Sequence, residues 1–71
     1  MEYLNNARKL GNAIRTERRR QGLSQQEAAD LAGVSVRFLG DLERGKPTCE
    51  LGKALGVAET LGLRLIAEDR D

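Results

Sequence analysis

The chain has no histidine and no tryptophan, and only one cysteine, one proline, one tyrosine and one phenylalanine among its 71 residues. Without histidine the usual zinc ligand sets cannot be assembled, and the lone Cys49 can close no disulfide within the chain. The same absence removes the commonest catalytic base. No Ser or Cys has a dyad partner, and Asp41 and Glu43 stand two apart on a predicted helix and point different ways. The eight glycines fall at helix ends and within helices, not as a nucleotide fingerprint. The expectation is a chain that is not an enzyme and needs neither metal nor cofactor. No apolar run approaches the ~20 residues of a membrane span, and no signal peptide opens the chain. A cytoplasmic, reducing setting fits.

Seventy-one residues suffice for one domain, 1–71. A domain this small buries only roughly 60% of its unfolded surface, so helix packing or a second chain must stabilise it. The formal net charge of +1 names no partner, but its distribution is uneven. Residues 1–22 hold six Lys/Arg against two acids, whereas 23–47 and 48–71 are mildly acidic. On the first helix Arg15, Arg19 and Arg20 are either a phosphate-facing footprint or a solvated charged face.

Four helices can be read. The first spans Asn6 to Arg20, capped by Asn5 or Asn6, with Ala7, Leu10, Ile14 and Ala13 on one face and Gly22 as its stop. Ser24 and Glu27 form a capping box, so a second helix, Gln25–Ala32, begins after Ser24 and presents Ala28, Ala29 and Ala32 inward. Gly33 suits the left-handed position that ends it, and Ser35 caps a third helix, Val36–Arg44, with Leu39 and Leu42 inward. A helix, a short turn holding Gly, and a second helix make the helix-turn-helix unit, whose second helix enters the DNA major groove. Thr48 is expected to cap a fourth helix, Cys49–Thr60, with the stripe Leu51, Ala54, Leu55, Ala58 and Leu61. Cys49 reads as a small hydrophobe at its start. The tail then changes period: Leu63, Leu65 and Ala67 alternate with Arg64, Ile66 and Glu68. That pattern suits a short strand, and with no second strand in the chain it would pair with its counterpart in a second copy across a two-fold axis. A frayed tail is the other reading.

Leu23-Ser24-Gln25, Leu31-Ala32-Gly33-Val34-Ser35 and Asp41-Leu42-Glu43-Arg44-Gly45-Lys46-Pro47-Thr48 resemble the phage-repressor-like helix-turn-helix class. The sequence is more closely similar to HipB-type antitoxins, small regulators encoded beside a HipA-type serine/threonine kinase toxin. The likeness covers about residues 8–67 and is most specific in two places, from Gly33–Leu39 through Lys46-Pro47-Thr48 and in Leu61-Gly62-Leu63-Arg64-Leu65. It implies an all-α, lambda-repressor-like bundle of four to five helices. It also implies a C-terminal strand, about 63–67, that pairs between subunits, with Leu61, Leu63, Leu65, Ile66 and Ala67 at the dimer interface. The partners implied are an inverted-repeat operator duplex, a second copy and a kinase toxin. Matching positions imply a partly buried ion pair between Arg18 and Glu43, with Arg18 leaning toward a phosphate.

Helical geometry selects Val36, Arg37, Gly40 and Asp41 as the groove-facing positions. Arginine donates two bonds to guanine, which makes Arg37 the base reader, and Val36 offers a contact to a thymine methyl. Asp41 lies i,i+4 from Arg37, so it either pairs with that side chain or accepts from a cytosine amino group. Gly40 stands where relatives carry Ser or another polar residue. Gln25 opens the second helix, where its amide can reach a phosphate; Gln26 and Ser35 join it, and Phe38 packs on the sugar-phosphate backbone or on a neighbouring helix. Arg44, Lys46 and Thr48 follow the recognition helix and either grip the same strand or cap the helix C-terminus. The rival reading is a helical protein-interaction module that neutralises a partner without specific DNA binding.

Overall fold

The computed structural model describes residues 3–70, so residues 1, 2 and 71 of the expected domain lie outside it. The chain runs through α1 (Ala7–Arg20), α2 (Gln25–Ala32), α3 (Val36–Glu43) and α4 (Leu51–Thr60). Three starts follow the caps read above. The side chain of Asn6 accepts from Lys9 N, that of Ser35 accepts from Phe38 N, and Ser24 and Glu27 make the full reciprocal capping box. Each helix is followed by a glycine at positive φ, at Gly22, Gly33, Gly45 and Gly62.

The fourth helix differs from expectation. Pro47 and Thr48 stay in a turn, Cys49 precedes the helix, and Glu50 caps it by accepting from Lys53 N at 3.2 Å. Its inward face is Ala54, Val57 and Ala58, continued by Leu61. Leu51 and Leu55 are 66% and 43% exposed. The stripe is thus rotated away from those two leucines and onto Val57.

The core gathers Ile14, Ala28, Ala29, Leu39, Leu42, Ala54, Val57 and Leu61. Ile14, Leu39 and Val57 are the largest fully buried side chains. Each contributes about 1.5–3 kcal/mol by leaving water. α3 packs on both α1 and α2, and α2 also packs on α4. The alanines of α2 let these neighbours approach closely. Closer still is the crossing of α1 with the end of α3 at the buried Gly11. A Cβ there would collide with the Leu42 carbonyl oxygen and lie 3.0 Å from that of Glu43.

From Leu63 the backbone has no regular structure through residue 70, and no strand forms among the described residues. The bundle therefore has four helices and no β-ladder among the described residues. Leu65, Ile66 and Ala67 are exposed, Leu63 is half-buried against the core, and Leu61 belongs to the core itself. No helix among the described residues is long and apolar enough to cross a membrane.

Candidate nucleic-acid interface

The turn between α2 and α3 is three residues, Gly33-Val34-Ser35. Gly33 takes φ 70°, and Val34 N donates to Ala29 O at 3.0 Å, which closes α2 and redirects the chain. α3 then buries Leu39 and Leu42 and leaves the side chains at its N-terminus outside. Val36 is 41% exposed, and Arg37 is exposed with no ion-pair partner among the described residues. Ser35 is engaged in capping α3.

Behind α3 lies a buried polar lock. Arg18 Nε and Nη2 donate to the two oxygens of Glu43 at 2.6 and 3.0 Å, and Arg18 Nη1 donates to Leu23 O at 2.7 Å. Gln25 Nε2 donates to Glu43 Oε1 at 3.1 Å. The two charged side chains are 8% and 3% exposed. Burial pushes the Glu43 carboxyl up, but the hydrogen bonds from Arg18 and Gln25 and the positive charge of Arg18 and Arg15 outweigh it and hold it below the ordinary carboxylate value. The Glu43 hydrogen bond raises the Arg18 guanidinium in turn. This bidentate pair joins α1 to the end of α3, and Gln25 ties in the start of α2, so the recognition helix is held from two sides.

Several expected placements change. Asp41 does not pair with Arg37. It holds Arg44 Nη2 at 2.5 Å and Lys46 Nζ at 3.6 Å, because these cations reach back across the helix end. Gly40 is buried, and the Arg44 guanidinium lies over it, so it is not a groove-facing position. Phe38 is half-buried against the core with Lys53 Nζ 5.9 Å from its ring centroid, which turns its ring toward α4 and not outward. Gln26 donates to Asp30, and Thr48 sits exposed in the α3–α4 turn.

Sequence reasoning left the α1 arginines ambiguous. Arg15, Arg18 and Arg19 line one surface hollow with Gln25, Gly40, Glu43 and Arg44. Arg20 is instead paired with Glu17. The i,i+4 spacing of Arg15 and Arg19 was the available signal. Glu17 also accepts from Gln21, and the Arg20 and Gln21 hydrogen bonds bring its carboxyl down to about 2. Gln21 Nε2 reaches Leu61 O at 2.7 Å and fastens α1 to the end of α4.

Two short helices set by a glycine turn, the second with an exposed polar start and a buried apolar back, define a helix-turn-helix protein. Residues 14–66 match the Helix-turn-helix family model, and the chain belongs to that family. It is 51% identical over 53 residues to the uncharacterized HTH-type transcriptional regulator y4mF of Sinorhizobium fredii, covering 75% of this chain and 70% of that one. Among solved structures it is similar to HipB in the HipB–O4 20mer complex, with TM-score 0.87, 20% identity and full coverage of both chains. The HipA–HipB–O2–O3 complex gives TM-score 0.88 at 20% identity, again over both whole chains. The clp gene regulator ClgR of C. glutamicum follows with TM-score 0.68, 31% identity, and 90% and 80% of the two chains covered. The family and fold are those of DNA-binding transcriptional regulators and not of enzymes.

Proposed function

We propose that this regulator is a homodimeric repressor that reads a short inverted repeat near its own gene, one α3 per half-site. The observation that carries this is the split of α3: Leu39 and Leu42 are buried while Val36 and Arg37, at the end that meets base edges, stay outside and unpaired. Arg37 is the guanine reader, and Val36 meets a thymine methyl. Gln25, Arg44 and Lys46 face the DNA backbone, with Arg18 structural first. The exposed tail residues Leu65 and Ile66 pair with their counterparts in a second copy as a two-stranded ribbon, assisted by α4, and satisfy backbone groups that one chain leaves open. Half-site centres then lie about one DNA turn apart, roughly 34–36 Å, or a multiple of it.

We further propose that the chain is the antitoxin of a HipBA-type pair and binds a HipA-type kinase toxin, which it recruits to the operator. The full-length likeness to HipB in the HipA–HipB–O2–O3 complex supports this. The interaction-module reading draws on the exposed Leu51, Leu55, Leu65 and Ile66.

Salt separates the two. Fluorescence anisotropy on a duplex from the chain's own upstream region should show affinity falling steeply with KCl, at a log–log slope of about −0.9 per neutralised phosphate. Affinity no better than for a scrambled duplex at any salt would hand the function to the interaction module. Truncation before Leu63 should give monomers in sedimentation; a surviving dimer places the interface elsewhere.

A further inference from the structure

The geometry points to Asp41 and Gly40 as positioning residues that fix the Arg44 guanidinium over the flank of α3, opposite Arg15 and Arg19, as one clamp for the DNA backbone. This rests on the DNA-binding reading above and assigns roles within it.

Three observations carry it. Arg44 lies just past the last turn of α3, and its side chain is 71% exposed, the setting in which a long side chain samples many rotamers. Asp41, three residues earlier, holds its Nη2 at 2.5 Å and with its other oxygen approaches Lys46 Nζ at 3.6 Å, so a single carboxylate orders both cations.

Gly40 supplies the seat. Its backbone is helical and has no positive φ to require glycine. Glycine inside a helix costs about 1 kcal/mol relative to alanine. What the missing side chain does is make room: a Cβ would lie 3.2 Å from Arg44 Nη1 and 3.9 Å from Cζ and Nη2. The guanidinium lies close enough that an added Cβ would push it aside by a few tenths of an ångström.

Across the hollow, Arg15 and Arg19 make no ion pair among the described residues, while the buried Arg18 is neutralised by Glu43. The cations bordering the hollow that can meet a polyanion are therefore the unpaired Arg15 and Arg19 on one rim and, on the other, Arg44, which stays 71% exposed although Asp41 holds it. Arginine on both rims suits phosphate oxygens, which it binds through its planar fork.

The test turns on a sign. Asp41 is an acid facing a polyanion, so if it did nothing else, Asp41→Asn would tighten binding to every duplex. As a positioning residue it does the opposite. Anisotropy on the upstream duplex and a scrambled duplex, from about 50 to 200 mM KCl, should give three results. Arg44→Ala weakens both duplexes several-fold and reduces the salt slope by about 1. Asp41→Asn weakens both about 3–10-fold and lowers the slope in the same way, although it removes a negative charge. Gly40→Ala weakens binding alike while thermal melting is unchanged or raised, because only the end of a flexible side chain has to move.

In an Arg44→Ala/Lys46→Ala background, Asp41→Asn no longer weakens binding and tightens it slightly. Tighter binding by Asp41→Asn alone, wild-type affinity for Gly40→Ala, or an undiminished loss in the double-alanine background each overturns the assignment and leaves the regulator reading intact. A wild-type chain that prefers neither duplex overturns the regulator reading itself, and the clamp with it.

Discussion

The junction of α1 with α3 and the stretch from α4 into the tail are built differently. At the junction, backbone meets backbone over Gly11, and Arg18 and Glu43 satisfy each other out of water with Gln25 and the Leu23 carbonyl completing the set. Along α4 and the tail, Leu51, Leu55, Leu65 and Ile66 face outward, and beyond its chain neighbours and its own helix backbone nothing lies within 4 Å of where a Cβ on Gly56 would be. One region is complete within a single chain and serves as a rigid platform for α3. The other has apolar surface to spare, which the proposed second copy would cover. The difference teaches where changes should affect stability and where they should affect assembly.

The contrast breaks most severely at the ion pair. Glu43→Ala leaves Arg18 charged and buried without its partner, and should cost about 3–5 kcal/mol of unfolding free energy in urea melts. For a domain this small that is a large share of its stability. A cost under about 1 kcal/mol would mean the pair is solvated like a surface bridge. Next come two helical glycines that differ only in surroundings. Gly11→Ala forces a methyl against the Leu42 carbonyl and should cost about 1–3 kcal/mol or more, since backbone cannot yield as a side chain does. Gly56→Ala meets nothing and should stabilise the isolated fold by about 0.5–1 kcal/mol. Equal effects at the two positions would erase the distinction between the regions.

A smaller effect comes from acid. Glu43 and Glu17 both sit below the ordinary carboxylate value near 4.5, with Glu17 at about 2. Depressed carboxylates contribute stability that is fully present above the unfolded value and is lost as pH falls through the folded one. Stability should therefore decline below about pH 4.5 and continue to fall toward pH 2. Glu17→Gln should flatten the lower part of that decline, and an unchanged profile would remove Glu17 from it. Least of all should Leu65→Asp change the melting of the monomer, within about ±0.5 kcal/mol, while it abolishes the proposed dimer in sedimentation.

Much of the platform was legible because its signals are local. Asn6, Ser24 and Ser35 announce three helix starts through side-chain chemistry, and Gly33 marks a stop that only a left-handed residue makes cleanly. The fourth start was misplaced because Thr48 is the better cap by type, yet Pro47 and Thr48 are held in a turn and the Glu50 carboxylate takes the role. Hydrophobicity drew Leu51 and Leu55 into the expected core and passed over Val57; which face of α4 turns inward is set by α2, not by α4's own composition.

At the candidate site, Asp41 has cations at both i−4 and i+3, and both spacings bring side chains together on a helix, so pattern alone could not choose Arg44 over Arg37. Gly11 carries no side chain and so no periodic signal; only the crossing geometry shows its need. The expected tail strand does not form among the described residues, and a one-chain fold gives it nothing to pair with.

The central claim is that α3 reads bases through Arg37. It is tested most directly by comparing Arg37→Ala with wild type on the upstream duplex and on a scrambled duplex of equal length at fixed salt. The account predicts a loss of about 1–3 kcal/mol on the upstream duplex, confined to one base pair in a substitution scan, with little change on the scrambled one. An equal loss on both duplexes would contradict it, because Arg37 would then be a phosphate contact and not a reader of sequence.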